Sequence, residues 1–179
     1  MSLRPASLLL LVVALAAAGQ ASARSTDRNK PMDLEAGHQT GTLQGDSVSV
    51  LSNGVHITQG TLDITSSRAE ITMRDSEIVR AVFTGAPVVM KQQMDDGTPM
   101  TARAAHVDYN LKTEIVVFTG DVTIQQPRGT MSGQRVVYNL KTGNLDSGGE
   151  GNGRVKMRIL PKAAQGQPAK ASATPAAKN

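Results

Sequence analysis

The sequence predicts an all-β fold built from short antiparallel strands. Apolar and polar residues alternate with a period of two over most of residues 32–159, which is typical of strands that bury one face. Glycine-containing turn signals separate the alternating runs, and no run after residue 23 keeps a helical period for three turns. Because the opposite face of each run is polar, we expect two sheets, or one folded sheet, with the apolar faces turned inward.

The predicted strands follow one another closely along the chain. In order, the alternating apolar positions are Met32, Leu34 and Ala36; Val48 and Val50; Val55 and Ile57; Leu62 and Ile64; Ala69, Ile71 and Met73; Val107, Tyr109 and Leu111; Val122 and Ile124; Val136, Tyr138 and Leu140; and Val155, Met157 and Ile159. Turn signals lie at 52–54, 84–85, 95–97, 119–120, 141–143 and 147–149. Together they predict strands of about four to seven residues joined by tight turns.

One pattern of strand, glycine turn and strand occurs three times, at 49–57, 78–90 and 114–124. The copies lie roughly 32–35 residues apart, a spacing found in stacked architectures. Residues 55–62 also match 122–131, so the two halves of the chain look like copies of one meander. A stacked all-β body in an exported protein indicates binding or carrying rather than catalysis.

The two ends of the chain are predicted to lie outside this body. Residues 1–23 combine Arg4, an apolar run from Leu8 to Ala18 and a small-x-small site at 21–23, which predicts a cleaved signal peptide. Residues 24–160 are then one domain. Residues 161–179 are rich in Ala, Pro and Lys, and we expect a disordered tail that is dispensable or aids solubility.

Charge and composition argue against nucleic-acid binding. The whole chain has a formal net charge of +4, but residues 24–160 contain 15 basic and 15 acidic side chains and are therefore neutral. The chain has two Phe, two Tyr and no Trp, too few aromatic groups for a base-stacking platform. It also has no cysteine, so stability depends on strand pairing and apolar burial.

The residue pattern predicts no enzyme, no cofactor and no metal site. His38, His56 and His106 are far apart and have no ligand at metal-binding spacing. Residues 95–97, Asp-Asp-Gly, lack the later acidic positions of a calcium loop and predict a turn. The sequence contains neither a phosphate-binding loop nor a Gly-x-Ser-x-Gly nucleophile motif.

Several segments together resemble the OstA-like family of lipopolysaccharide-transport periplasmic proteins, the LptA family. They are residues 30–36, 55–64, 85–92, 106–109 and 116–126, and the likeness covers roughly 30–160. The resemblance implies an open-ended β-jellyroll of about sixteen antiparallel strands. It also implies a periplasmic carrier that shields the acyl chains of lipid A during outer-membrane assembly. Implied partners are lipopolysaccharide, further copies joined head to tail, and OstA-type domains of an inner-membrane LptC-like and an outer-membrane LptD-like protein.

The candidate site is a lining and not a single point. The alternation predicts a hollow apolar interior, and the resemblance adds Met90. The predicted lining consists of Met32, Leu34, Val48, Val50, Val55, Ile57, Leu62, Ile64, Ile71, Met73, Met90, Val107, Tyr109, Phe118, Val122, Ile124, Met131, Val136, Tyr138, Val155, Met157 and Ile159. Methionine suits a surface that adapts to acyl chains, but it also fills ordinary cores. The facing of Phe118 is open because residues 115–118 are all apolar.

The two terminal strands carry opposite charges. Asp33 and Glu35 lie on the first, and Lys156 and Arg158 lie on the last. These charges either direct head-to-tail pairing or protect open edges from aggregation. Two other functions remain open: an LptC-like component of the same pathway, which would keep residues 1–23, and a structural or glycan-binding β-solenoid. A glycan binder would favour exposed aromatics, whereas Tyr109 and Tyr138 fall on the apolar face.

Overall fold

Ten β-strands form one antiparallel sheet in the computed structural model, which describes residues 27, 29–94, 96–148 and 154–161. The strands are β1 (Met32–Glu35), β2 (His38–Thr40), β3 (Ser47–Gln59), β4 (Leu62–Arg74), β5 (Glu77–Gln93), β6 (Pro99–Asn110), β7 (Ile115–Gln126), β8 (Gly129–Asn139), β9 (Leu145–Ser147) and β10 (Lys156–Ile159). Their order in the sheet is β1-β3-β4-β5-β6-β7-β8-β10, with β2 beside β3 and β9 beside β8. The predicted all-β antiparallel class is confirmed.

Six of the strands are long because they continue through a bend. Each of the five pairings from β3–β4 to β7–β8 shifts register in mid-strand. In β3 the bend lies at Asn53 and Gly54, whose φ angles are 64° and 82°. The turn signals at 52–54, 84–85 and 119–120 therefore mark bends inside β3, β5 and β7. They were wrongly expected to separate strands, and the described residues form ten strands.

The bends divide the sheet into two layers. The first layer contains β2, β9 and residues 47–52, 68–74, 77–84, 106–110, 115–119 and 135–139; the second contains β1, β10 and residues 55–59, 62–65, 88–93, 99–104, 122–126 and 129–133. One face of each layer is almost fully buried, and in the described residues no helix covers it. The sheet therefore folds on itself, with its apolar face inside.

The two layers contribute different side chains to the core. Both phenylalanines and both tyrosines, at positions 83, 109, 118 and 138, lie in the first layer. Met90, Met100 and Met131 lie in the second. Buried Met73 lies in the first layer, so methionine side chains, which can fill irregular gaps, occur in both layers.

The bend in β3 reverses the predicted facing of Val48 and Val50. Ser49 is fully buried and pairs with buried Ile71, so Val48 and Val50 point outward, and Val48 is 48% exposed. The prediction was wrong because Asn53 and Gly54 were read as a hairpin turn. Asn53 and Gly54 instead form a bulge of two residues. Because two is an even number, odd-numbered residues face inward both before the bulge, at Leu51, and after it, at Ile57.

The predicted signal peptide (1–23) and all of the predicted tail except Pro161 fall outside the described residues, so both remain predictions. Within the part of the chain that the structure describes, no helical segment has the length and apolar character that crossing a membrane requires.

Candidate functional site

The apolar interior between the two layers is the candidate site. Fifteen of the predicted lining residues are buried there. They are Val55, Ile57, Leu62, Ile64, Ile71, Met73, Met90, Val107, Tyr109, Phe118, Val122, Ile124, Met131, Val136 and Tyr138. Phe118 faces inward beside Val107 and Val136, which settles the facing that its apolar neighbours left open. Met32 and Leu34 are half-buried against the same cluster.

Ten further core residues were missing from the predicted lining. They are Leu51, Ala69, Ala81, Phe83, Val88, Met100, Ala102, Ala104, Val116 and Leu140. In β5, residues 78–83 are apolar at both odd and even positions, apart from Arg80. The sequence therefore does not predict which of these side chains face the interior. The alternation of Ala102 and Ala104 with Thr101 and Arg103 was readable, but alanine contributes little to a hydrophobic pattern.

The interior is closed along its length by its own side chains. The buried apolar residues are between 0% and 7% exposed, so little of their surface is open to water. The hollow interior that the alternation predicted is therefore replaced, over the described residues, by a packed core. Opening this core for a ligand requires the two layers to separate.

The C-terminal end of the roll has an apolar mouth. A cavity of about 220 Å³ lies between β9 in the first layer and β8 and β10 in the second, with Leu145, Met131 and Met157 in its wall. Ile124 and Ile159 also line it. The Ser147 hydroxyl donates a hydrogen bond to Met131 Sδ over 3.4 Å, across the two layers.

The β10 side chains at this mouth are exposed, contrary to the prediction that they line a covered interior. Met157 pairs with Met131 and so points to the inner side, but it is 63% exposed, and Ile159 is 70% exposed. Val155 precedes β10 and is also exposed. Their exposure has a simple cause: β10 is the last strand of the second layer, and no described strand covers its outer edge.

Among the described residues, turns close the long side opposite the bends, and we call this side the seam. Met94 of the second layer meets the turn 139–145 of the first: a Cβ built on Gly143 would lie 3.8 Å from Met94 Cε. A cavity of about 220 Å³ lies there, lined by Met94, Tyr138 and Leu140 among others. Gln92, which also lines it, has a buried Oε1 with no hydrogen-bond partner among the described residues.

The polar outer faces hold short-range charge pairs. His56 lies between Glu35 and Asp63, at 3.8 Å and 3.4 Å. The hydrogen bond that Asp108 accepts from Arg80 lowers the pKa of the Asp108 carboxyl. Burial raises this pKa, but by less. Among the described residues no three His, Cys, Asp or Glu side chains converge as a metal site. On the two edge strands, Asp33, Glu35, Lys156 and Arg158 are all exposed.

The structure defines an all-β protein whose single antiparallel sheet folds around an apolar interior. Residues 33–144 match the family described as the LptA/(LptD N-terminal domain) LPS transport proteins. The chain belongs to this family, which confirms the predicted resemblance. The family consists of transport components and not enzymes.

Relatives and a solved structure agree with this assignment. The chain is 29% identical to the lipopolysaccharide export system protein LptA of Escherichia coli K12, over 89% of this chain and 86% of that protein. It is 29% identical to the Haemophilus influenzae LptA, over 88% of this chain and 93% of that protein. The crystal structure of LptH, a periplasmic LptA homologue from Pseudomonas aeruginosa, superimposes with a TM-score of 0.66 at 23% identity, covering 76% of this chain and 99% of LptH; that likeness shows the fold.

Proposed function

We propose that this protein is a periplasmic carrier of lipopolysaccharide that holds the lipid A acyl chains between its two layers. The observation that carries the proposal is the continuous apolar inner face, which ends in an apolar mouth at β10. Burying a methylene group stabilises a complex by about 0.8 kcal/mol, so the burial of several acyl chains offsets the loss of core contacts that separation of the layers costs. The relatives named above as export proteins support a carrier over an LptC-like or glycan-binding role.

The finer architecture we propose is an open-ended β-jellyroll. The six bent strands supply two segments each and the four short strands one each, which accounts for the sixteen short strands of the predicted fold. Eight segments per layer at about 4.8 Å give a body roughly 38 Å long. A bridge across the periplasm then needs several copies in series.

We propose that copies join head to tail through β10 of one and β1 of the next, by strand addition. The exposed inner-side residues Met157 and Ile159 would be covered by the next copy, and acidic Asp33 and Glu35 would lie beside basic Lys156 and Arg158. By the same contacts, the ends of the chain of copies would join OstA-type domains of an LptC-like inner-membrane protein and an LptD-like outer-membrane protein.

We propose further that the layers separate at the seam. At the bends, six strands are covalently continuous; at the seam, the two turns only approach each other, with Met94 of one beside Gly143 of the other. Linking Met94→Cys to Thr142→Cys with a short bismaleimide is expected to reduce lipopolysaccharide loading about tenfold or more. The crosslink holds the two turns together, so the layers cannot separate and their apolar inner faces stay closed to the acyl chains. Binding of fluorescent lipopolysaccharide measures it.

The control for this crosslink is each single cysteine variant treated with the same reagent, which should load normally. Loading that is equal in the crosslinked and uncrosslinked double variant would overturn opening at the seam.

The carrier function is tested by placing a photo-crosslinking amino acid at Ile57 and, in a matched control, at His56. Ile57 is 1% exposed and faces inward, whereas His56 is its outward neighbour on the same strand. Irradiation with purified lipopolysaccharide should give adducts at position 57 and not at position 56, detected by a shift on denaturing gels. Equal labelling at both positions would contradict binding in the interior.

A further inference from the structure

A buried carboxylate lies just before the first strand. Asp27 is 6% exposed, and both of its oxygens are used. Oδ2 accepts hydrogen bonds from the Thr61 amide at 2.8 Å and the Thr61 hydroxyl at 2.6 Å. Oδ1 forms an ion pair with Lys30 Nζ at 2.7 Å. We call this group of three residues the Asp27 clasp.

The β3–β4 turn is shaped to receive this carboxylate. Gly60 has a φ of 61°, and a Cβ built on it would lie 2.4 Å from Asp27 Cγ. A side chain at position 60 would therefore displace the carboxylate, and glycine also adopts this φ without strain.

Two further hydrogen bonds connect the clasp to strands β3 and β5 of the second layer. The Thr61 hydroxyl also accepts a hydrogen bond from the Gln93 amide at 3.3 Å, at the end of β5. Gln59 Nε2 donates to the Lys30 carbonyl at 3.1 Å. The residues that immediately precede β1 are thus fixed to the ends of β3, β4 and β5.

The Asp27 carboxylate stays ionised at neutral pH. Burial raises the pKa of Asp27, but the hydrogen bonds from Lys30 and Thr61 together outweigh burial and lower the pKa to about 2. A depressed pKa means that the clasp contributes stability above the unfolded value near 3.9, and that this contribution is lost as the pH falls through about 2.

Strand β1 needs such an anchor. It has four residues and pairs on one side only, with β3, so its other edge is open among the described strands. A short edge strand frays readily unless its ends are fixed. We propose that the Asp27 clasp is a positioning device that holds β1 in register as the docking edge for the next copy. This inference rests on the head-to-tail assembly proposed above.

The test is Asp27→Asn in the full exported chain, compared with Asp96→Asn as the matched control. Asp96 likewise accepts hydrogen bonds from a threonine amide and hydroxyl, those of Thr98, but lies in the β5–β6 turn. We expect Asp27→Asn to speed hydrogen exchange of the β1 amides about tenfold and to weaken self-association about tenfold by sedimentation velocity. Lipopolysaccharide crosslinking at position 57 should persist in Asp27→Asn, and Asp96→Asn should match the wild type in β1 exchange and in self-association.

Lys30→Gln removes only the ion pair and should give a smaller change of the same kind, so a poorly folded Asp27→Asn protein still leaves a test. Unchanged β1 exchange and unchanged association in both variants would overturn the clasp as a positioning device. A wild-type chain that stays monomeric would instead overturn head-to-tail docking, and lipid crosslinking that fails in the wild type would overturn the carrier function.

Discussion

Replacing Lys156 and Arg158 together with glutamate is expected to weaken self-association by about tenfold to a hundredfold. Both side chains are exposed on β10, and in the head-to-tail assembly that we propose they lie beside Asp33 and Glu35 of the next copy. Each cross-strand charge pair contributes roughly 0.2–1 kcal/mol, and its reversal replaces attraction by repulsion of similar size. Light scattering or sedimentation velocity at low salt measures the change, which should shrink as salt screens the charges.

The reciprocal variant makes this test specific. Asp33→Lys with Glu35→Lys should also reduce self-association, but a mixture of the two variants should associate about as well as the wild type, since each then offers the charge that the other lost. If the mixture stays as weak as its components, the charges act as edge protection and do not direct pairing.

Phe118→Ala is expected to lower the free energy of unfolding by about 3–5 kcal/mol. Phe118 is fully buried in the first layer and pairs with Val107 and Val136, so truncation leaves a cavity in a core that is closed along its length. Urea denaturation followed by circular dichroism gives the value.

A matched pair of valines tests the facing of β3 in the same assay. Val136→Ala removes a side chain that is 0% exposed, whereas Val48→Ala removes one that is 48% exposed. We expect a loss of about 1–3 kcal/mol for the first and within about 0.5 kcal/mol for the second. A large loss at position 48 would mean that the bend at Asn53 and Gly54 does change the alternation.

Alternation alone was sufficient to predict the fold class and most of the interior. Where apolar residues occur at one parity, as at Ile57, Ile64 and Ile124, the predicted facing is correct. The family resemblance was confirmed by the match over residues 33–144.

The errors have two physical causes. A glycine turn signal specifies a positive φ, but it does not distinguish a hairpin from a bulge within a strand. This ambiguity misplaced Val48 and Val50 and divided β3, β5 and β7 at their bends. The second cause is that Met157 lies on an edge strand. Alternation predicts the side to which its side chain points, but a neighbouring strand has to cover that side before the residue is buried. The clasp at Asp27 was not predicted because Thr61, which lies 34 residues away in the sequence, comes beside Asp27 only in the folded chain.

The number of strands in the sheet limits how its length can change during evolution. Eight strands lie along the main path, every neighbouring pair is antiparallel, and β1 and β10 therefore run in opposite directions. A second molecule can add its β1 to β10 and prolong the up-and-down order without a fault. Losing or gaining a single strand would make that junction parallel, so a longer or shorter relative can arise only by whole hairpins.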